Sequence, residues 1–291
     1  MRLLNWIKEN YLLLLIVVFA AILRLYKIDF QSPWIDEIFT LYNTGSDKNF
    51  IDIYRFLRDN DPHPPLYYFI VHFFYLIFEN TSLIARLISV IFGLGGIVIF
   101  YHLVKELFNK NAALIAVVLL AVNYFHIYHS QEARMYSMLF FTTTISFYFL
   151  IKFIKNPTFK WAILHGIVVS TMIYTHFFAI FTLLSHYLIL LYFIIYPVNL
   201  TSFKFFKLSV FSGITTLILY IPAIFVLLKT GSTTSFWIPT PTPDVYTIII
   251  KDFFGHCEIA IYISIIAALS YFVSIFNKRE AKELKINPLV D

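Results

Sequence analysis

Stretches of about 20 mostly apolar residues recur along the chain and constrain its fold more than any other feature. A helix needs roughly this length to cross the hydrocarbon core of a membrane. The composition agrees, because 59% of the 291 residues are hydrophobic and only 13% are charged, whereas about a quarter of the residues are charged in soluble domains. The sequence therefore predicts an all-α integral membrane protein.

Hydropathy predicts about eight spans. The first resembles a secretory signal, but no small-residue cleavage site follows it and Arg24 and Lys27 interrupt it, so we expect a retained span. Residues 65–78 are too few for a normal span and include polar aromatic side chains, so we expect them to lie along the membrane surface or to be re-entrant. The predicted spans are residues 10–28, 85–104, 112–129, 138–154, 161–176, 178–196, 208–228 and 258–276.

The positive-inside rule sets the orientation of these spans. With 65–78 left out of the count, 13 of the 22 basic residues and only 5 of the 17 acids become cytoplasmic. Insertion topology alone explains why the lysines lie on the cytoplasmic side. It does not explain why the acids are concentrated in the outer loops, at about 29–84 and 229–257. We therefore expect a polytopic module over 1–276 in the plasma membrane, with interfacial helices in the first outer loop, an extracytoplasmic active site, and a cytoplasmic tail at 277–291.

Asp36 and Glu37 are adjacent acids just beyond the first predicted span, in a chain with few acids. Ser32 and Pro33 are typical of the cap and first residue of a short helix, which would place both acids in its opening turns, where the helix dipole favours negative charge. A carboxylate held there can accept a proton from an incoming hydroxyl. The alternative is a pair of hydrated loop residues, but the aromatic residues around the pair favour an interfacial position.

A second polar cluster lies at the outer end of the third predicted span, between His126 and Tyr136. In a helix, His129, Glu132 and Tyr136 would share one face. Ionisable groups at a span end are costly against lipid, so this density predicts a polar cavity. The alternative is a purely structural ion pair between Glu132 and Arg134.

Other polar residues lie in the outer loops or at outer span ends. Asp61 and His63 are two apart in a proline-rich turn, a geometry that suits a divalent ion or a phosphate, although two ligands make a weak metal motif. Arg86 and Arg24 can take a phosphate bidentately or simply anchor their spans. His176, in the hairpin between the fifth and sixth spans, either lines the site or is structural.

Five short stretches follow one another between residues 24 and 180. They are Trp34-Ile35-Asp36-Glu37, His63-Pro64-Pro65-Leu66-Tyr67-Tyr68, Ala85-Arg86-Leu87-Ile88-Ser89, Ser130-Gln131-Glu132-Ala133-Arg134-Met135-Tyr136 and Tyr174-Thr175-His176-Phe177-Phe178. In order and spacing they resemble the family 39-like membrane GT-C glycosyltransferases, which include protein O-mannosyltransferases, aminoarabinose transferases and RgtA/B/C/D-like enzymes. The fold class expected from this resemblance is a GT-C multi-span helical bundle. Members commonly have more spans, so we expect a compact or truncated member, or one without its acceptor-binding part.

The resemblance implies a sugar donor carried on polyprenyl phosphate and an inverting transfer to a hydroxyl or amine of a lipid, glycan or protein. Asp36 would be the general base, and Glu132 the second acid, which orients the acceptor or helps to hold a metal. No cofactor is required by this chemistry, and a divalent metal is an option that no motif supports. The residues expected to bind substrate are Glu37, His63, Arg86, Arg134, Tyr136, His176 and Arg24.

Two other classes of function remain open. A transporter or lipid flippase also carries intramembrane charges, but it would show inverted repeats and broken spans. A structural subunit would not need acids concentrated outside. No nucleic-acid motif accompanies the net charge of +5, so no nucleic-acid partner is expected. The single Cys257 excludes an intrachain disulfide framework and a multi-Cys metal site.

Overall fold

The structure, a computed structural model, describes residues 2–61, 63–196, 200–224, 228, 242–255, 257–259, 261–266 and 269–270. Within these ranges the regular elements are all helices, which confirms the predicted all-α class. The predicted tail at 277–291, the loop at 229–241 and much of the span at 258–276 lie outside the described residues. The helices are α1 (Arg2–Leu25), α2 (Ile35–Asn43), α3 (Phe50–Asn60), α4 (Leu66–Tyr75), α5 (Ser82–Leu107), α6 (Lys110–Ala121), α7 (Tyr124–Ser130), α8 (Tyr136–Lys155), α9 (Phe159–Ile173), α10 (Ala179–Ile195), α11 (Ser202–Tyr220), a 3-10 turn (Ile221–Ala223) and α12 (Val245–Phe253).

Three of the described helices are long and apolar enough to cross a membrane. They are α5, α8 and α11 with its 3-10 turn, and α6 and α7 together make a fourth candidate if the bent pair is one span. Helices α9 and α10 fall within the predicted spans 161–176 and 178–196 to within about two residues, but they are shorter than the length required. The total of eight spans therefore stays a prediction.

The predicted third span at 112–129 is not one straight helix, because α6 and α7 meet at an angle of 63°. The bend leaves backbone carbonyls at the end of α6 without helical partners, and the buried Arg24 side chain donates hydrogen bonds to them. Its Nη1 donates to the carbonyls of Ala20 and Ala121 at 3.0 Å each, and its Nη2 lies 3.5 Å from the Leu120 carbonyl. Arg24 thereby caps α6 from the neighbouring helix.

The first outer loop contains three short helices, α2, α3 and α4, between the first two long ones. Helix α2 begins at Ile35 with Trp34 at the N-cap, so the prediction that Ser32 and Pro33 cap and open it is wrong. The Trp34 backbone N–H donates to Glu37 Oε2 at 3.4 Å, which closes the first turn two residues later than expected. Asp36 and Glu37 lie in that first turn, as predicted.

Helix α4 is ten residues long, which agrees with the prediction that this segment does not cross the membrane as a straight span. Its polar aromatic residues, which suit an interfacial helix, are buried with internal partners. The Tyr67 hydroxyl lies 2.8 Å from Ser89 Oγ, and the Tyr75 hydroxyl donates to the Thr81 carbonyl at 2.8 Å. The buried polar aromatic residues of α4 are Tyr67, Tyr68, His72 and Tyr75.

Opposite ends of the helical bundle carry opposite chemistry. Helices α5 and α8 run in the same direction, because Arg86 and Arg134 lie near their starts while Glu106 pairs with Lys152 at 2.7 Å near their ends. Lys155 joins Glu106 at 3.0 Å. Arg86 and Glu106 lie 20 positions apart on α5, which is about 30 Å at 1.5 Å per residue, the thickness of a bilayer core. Asp36, His63 and His176 lie at the end of the bundle away from these lysines.

The described residues fall into two compact units. The first holds α1 to α6, most of α7, and α8 to α11, and its core under the first outer loop packs Ile53 and Leu57 against Tyr67, Tyr68 and Met135. The second holds residues 123–125 and the described part of 242–270. Within that second unit Phe125 stacks on Phe253 of α12, with ring centroids 4.5 Å apart. All residues of the candidate site belong to the first unit.

Candidate active site

Glu37 is held in place by a complete set of partners. Its Oε1 accepts from Arg86 Nε at 2.9 Å and from the Ala133 backbone N–H at 2.7 Å, while its Oε2 accepts from Arg86 Nη2 at 2.7 Å. Both side chains are almost fully buried, at 2% and 4% exposure. This bidentate pair joins α2 to α5 and to the segment before α8, so Glu37 acts as a structural tie between them.

Asp36 contrasts with Glu37, although the two are adjacent. Its side chain is 25% exposed, and its Oδ2 lies 4.0 Å from Arg134 Nη2. Arg134 reaches the same turn through Nη1, which lies 3.3 Å from the Asp36 carbonyl and 3.2 Å from Thr40 Oγ1. The Asp36 carboxylate is therefore near a cation without being bound tightly to it, and it remains accessible.

Arg134 lies in the non-helical segment between α7 and α8 and is 3% exposed. Burial by itself lowers the pKa of its guanidinium, but the surrounding Tyr68, Tyr136 and two carboxylates outweigh burial and raise that pKa above its ordinary value. The side chain therefore stays cationic. Its buried Nε has no hydrogen-bond partner among the described residues. An unsatisfied donor on a buried cation is costly and is readily satisfied by an anion.

Tyr68 of α4 links Arg134 to Asp61. Its hydroxyl accepts from Arg134 Nη1 at 3.1 Å and donates to Asp61 Oδ2 at 2.6 Å. Burial, together with the charge of Asp61, holds the pKa of Tyr68 well above its ordinary value, so the hydroxyl keeps its proton and remains the donor. Asp61 Oδ1 lies 2.6 Å from His63 Nδ1. Both carboxylate oxygens of Asp61 therefore have hydrogen-bond partners, Tyr68 and His63.

His176 follows α9 and lies against His63, with ring centroids 5.3 Å apart. Its Nδ1 accepts from the Phe178 backbone N–H at 3.1 Å, which leaves Nε2 as the protonated ring nitrogen. Burial, helped by His63 and Arg134, lowers the pKa of His176 to about 4, so the ring is neutral at neutral pH. The ring of Tyr136 is 6.4 Å from that of His176. His63, Tyr136 and His176 therefore lie in one cluster.

Glu132 is paired with His129, whose Nδ1 lies 2.8 Å from Glu132 Oε2. The alternative of an ion pair between Glu132 and Arg134 is not what the structure contains. The helix also ends at Ser130, so the predicted helical face does not form, although the rings of His129 and Tyr136 are 4.8 Å apart. The segment 131–135 is tied to α2 by two hydrogen bonds, from the Ala133 N–H to Glu37 and from Arg134 to the Asp36 carbonyl.

A small cavity of about 60 Å³ lies beside Glu132. Glu132 lines it together with Glu37, Arg86, Trp34 and Lys27, and Asp36 is not among the lining residues. Tyr136 lies within electrostatic range of both Asp36 and Glu132. The structure therefore brings Asp36, Arg134, His63, Tyr136 and His176 together and places Glu132 beside them.

The other two predicted phosphate ligands have different surroundings. Arg86 donates to Glu37 and, through Nη1, to the carbonyls of Ile28 and Gln31 at 2.9 Å each. Arg24 is fully buried, caps α6, and lies 2.8 Å from His126 Nδ1 through Nη2. Their role as phosphate ligands stays a prediction. Arg24 Nε and Arg134 Nε are both buried without a hydrogen-bond partner among the described residues, and of the two Arg134 lies beside Asp36.

Two residues of the site were not recognised as such from the sequence. Tyr68 was assigned to an interfacial helix, and Asp61 was considered only as a ligand for an ion. The signal was present in the spacing, because Asp61, His63 and Tyr68 lie within eight positions around a proline-rich turn. Among the described residues no group of three or more His, Cys, Asp or Glu side chains is arranged to hold a metal ion.

Similarity to known proteins indicates the family of the chain. No curated protein sequence matches the chain significantly. The family model described as dolichyl-phosphate-mannose-protein mannosyltransferase matches residues 62–226, more than half of the 291 residues. The match includes Arg86, Glu132, Arg134 and His176, together with α4 to α11. With its helical architecture and membrane-length helices, the chain belongs to this mannosyltransferase family of membrane glycosyltransferases of GT-C type.

Proposed function

We propose that the protein transfers a sugar from a polyprenyl-phosphate donor to an acceptor hydroxyl or amine, with inversion at the anomeric carbon and with Asp36 as general base. The acceptor oxygen or nitrogen loses its proton to Asp36 and attacks the anomeric carbon. The bond from that carbon to the phosphate oxygen breaks on the opposite face, and its electron pair stays with the phosphate. The acceptor is a lipid, glycan or protein.

The availability of the Asp36 carboxylate is the observation that carries this proposal. Glu37 has the same charge and lies next to it, but four donors occupy its carboxylate oxygens in a buried position. Asp36 is partly exposed and lies 4.0 Å from its nearest cation. A general base must be able to reach the proton it removes. The family match begins at residue 62, so the role of Asp36 rests on this geometry.

Arg134 supports a phosphate leaving group. It is cationic and buried, and it holds an unsatisfied Nε beside the carboxylate proposed as base. Negative charge develops on the phosphate as the glycosidic bond breaks, and a positioned guanidinium stabilises that charge more strongly in a buried site than in water. The transfer needs a base and a cation. Asp36 on the first turn of α2 is the base, and Arg134 in the segment before α8 is the cation.

The proposed location is the extracytoplasmic face of the plasma membrane. Lys152 and Lys155 mark the opposite end of the bundle from Asp36, and basic residues gather on the cytoplasmic side of membranes. Polyprenyl-phosphate sugars present their head groups at a membrane surface, which suits a site at one end of the helices. Cysteine labelling of Asp36→Cys and Glu132→Cys variants from outside intact cells tests the placement.

A transporter would be expected to have helices broken near the membrane midplane. The bend between α6 and α7 is such a break. The carbonyls of Leu120 and Ala121 at this bend, however, accept hydrogen bonds from Arg24, so they are not available to coordinate a substrate. The bend therefore does not favour transport over transfer.

The test uses purified protein in liposomes, radiolabelled polyprenyl-phosphate mannose as the donor probe, and membranes of the source cell as the acceptor mixture. We expect Asp36→Asn to lower transfer by at least 100-fold, since general base catalysis typically contributes about 10² to 10⁴. Asp52→Asn, an exposed acid of the same loop whose Oδ2 accepts from Asn49 Nδ2, is the matched control and should transfer normally. Undiminished transfer by Asp36→Asn would exclude the base, and uptake of label without transfer would indicate a transporter.

A further inference from the structure

Asp61 holds the imidazole of His63 in one orientation. Its Oδ1 lies 2.6 Å from His63 Nδ1 and also accepts the His63 backbone N–H at 3.2 Å. The other oxygen, Oδ2, accepts from the Tyr68 hydroxyl at 2.6 Å. Asp61 is only 9% exposed, so little water competes for these bonds. The carboxylate is fixed by Tyr68 on one side and fixes the ring on the other.

This arrangement determines which ring nitrogen of His63 exchanges a proton. A carboxylate can only accept, so Nδ1 carries a hydrogen in both the neutral and the charged ring. Nε2 is therefore the atom that gains or loses the proton. Nε2 has no hydrogen-bond partner among the described residues, while 22% of the His63 side chain is exposed. The pair has the geometry of a carboxylate-oriented acid and base, because one nitrogen is fixed and the other is free.

The groups around His63 leave it as the side chain able to donate a proton here. His176, from the connection between α9 and α10, is a neutral ring whose pKa is lowered to about 4, chiefly by burial. Tyr68 retains its proton because its pKa is raised by burial. The other charged or titratable groups around this pair are Asp61 on its own turn, and Arg134 and Tyr136 from the segment that leads into α8.

We propose that His63 is the general acid of the transfer and gives its Nε2 proton to the departing polyprenyl phosphate. The inference rests on the proposed function. As the anomeric carbon to oxygen bond breaks, its electron pair moves to the phosphate oxygen, and that oxygen takes the proton from His63. The acceptor's proton goes to Asp36. Asp36 then loses a proton to water and His63 regains one, so the sum is one acceptor proton ending on the phosphate. Asp61 is the positioning residue.

The charge of the product explains why such an acid is useful. The donor is a phosphodiester with one negative charge, and its cleavage leaves a phosphate monoester whose second pKa is about 6. Without a proton the product is a dianion held at a lipid boundary, where a second charge is costly to retain in a site of low polarity. One arginine, Arg134, balances one charge. Protonation by His63 keeps the leaving group a monoanion matched to that arginine.

The test measures binding of the product head group, which requires neither the correct sugar nor the acceptor. The probes are farnesyl phosphate and farnesyl methyl phosphate, a diester whose single charge does not titrate in this range, bound to the protein in nanodiscs. For wild-type protein we expect the affinity for the diester to fall about tenfold between pH 6 and 8, as His63 loses its proton. In His63→Gln the affinity at pH 6 should be about tenfold weaker and nearly independent of pH.

Farnesyl phosphate, whose own charge titrates, is the second probe. The dianion that forms above about pH 6 is costly to retain beside one arginine, and a protonated His63 offsets its second charge. Between pH 6 and 8 the affinity of His63→Gln should therefore fall more steeply than that of wild type. His102→Gln, at the lysine-rich end of α5, is the matched control and should follow wild type. Equal pH profiles for wild type and His63→Gln would overturn the inference.

A second variant covers the case in which His63→Gln fails to fold. Asp61→Asn keeps an oxygen for Nδ1–H but removes the negative charge that favours a protonated ring, so the pH at which diester affinity falls should move downward. A purely structural Asp61 would change affinity equally at every pH and would also overturn the inference. The assay is independent of Asp36. Failure of wild type to bind either probe would instead contradict the proposed lipid-phosphate donor.

Discussion

Arg86 and Glu37 form a bidentate pair across 49 positions of sequence, with Nε to Oε1 at 2.9 Å and Nη2 to Oε2 at 2.7 Å. The pair fixes α2 against α5, and the Ala133 N–H fixes the segment before α8 to the same carboxylate at 2.7 Å. The pair also fixes the position of Asp36, because Asp36 precedes Glu37 on the same turn of α2. One acid of the adjacent pair therefore positions the other.

Removing the charge of Glu37 should destabilise the protein, whereas the same change at Asp36 should not. Glu37→Gln leaves the Arg86 guanidinium buried without its counter-ion, and breaking a buried pair typically costs about 3 to 5 kcal/mol. Asp36→Asn alters a partly exposed side chain with one long contact to Arg134. Thermal unfolding of both variants in detergent measures the difference. Equal midpoints would contradict the structural role of Glu37.

The tyrosines Tyr67 and Tyr68 form a matched pair for testing the link between Asp61 and Arg134. Tyr68→Phe leaves Asp61 Oδ2 and Arg134 Nη1 each without one partner, so we expect transfer to fall at least tenfold and stability to fall by about 1 to 3 kcal/mol. Tyr67→Phe, equally buried, removes the contact with Ser89 Oγ at 2.8 Å and a longer one to the Ala85 carbonyl at 3.4 Å, neither of which involves Asp61 or Arg134. Its stability should fall by about 1 kcal/mol with transfer unchanged. Equal transfer rates in the two variants would show that the link is not needed.

The long helices were predictable from hydropathy, because the apolar length needed to cross a membrane is fixed by the bilayer and not by tertiary contacts. Residues 85–104 were predicted and α5 spans Ser82–Leu107; residues 138–154 were predicted and α8 spans Tyr136–Lys155. The bend after Ala121 was not predictable, since residues 112–129 are apolar enough for one span. Its carbonyls are taken up by Arg24, which is 97 positions away from Ala121 in sequence.

The sequence names candidate residues but not their roles. Asp36, His63, Arg134, Tyr136 and His176 were all candidates from their loop positions, and the structure places them near one another; their functional roles stay predictions. Sequence alone makes the two adjacent acids equivalent, because what distinguishes them is a partner from α5 and a backbone N–H from the segment before α8. Roles that depend on such distant contacts have no local signature. The same holds for the arginines: Arg24 Nε and Arg134 Nε are both buried without a partner among the described residues, and contacts distant in sequence place Arg134 beside Asp36.

The pH dependence of stability should carry a contribution from His176. Burial lowers its pKa to about 4 in the folded protein from 6.5 for the unperturbed group. Below pH 6.5 the unfolded chain therefore binds a proton that the folded protein does not, so stability is lost as the pH falls from about 6.5 to 4. The unfolding midpoint of wild type should drop over this window. In His176→Asn, which keeps an acceptor for the Phe178 N–H, the drop should be smaller; an unchanged drop would assign it to other groups.

Gly166 and Gly213 lie on the neighbouring helices α9 and α11 and differ in how closely the next helix approaches. A Cβ at Gly166 would lie 2.6 Å from the Ser212 carbonyl oxygen and 2.7 Å from Thr215 Cβ, so the helices must separate to admit it. Gly166→Ala should cost about 1 to 3 kcal/mol of stability through overpacking. A Cβ at Gly213 would meet only the Tyr187 ring, at 3.5 Å or more, an ordinary contact. Gly213→Ala should therefore be neutral, or stabilising by up to about 1 kcal/mol through helix propensity. Thermal unfolding of the two variants side by side tests the close packing of α9 on α11, and a Gly166→Ala protein as stable as Gly213→Ala would contradict it.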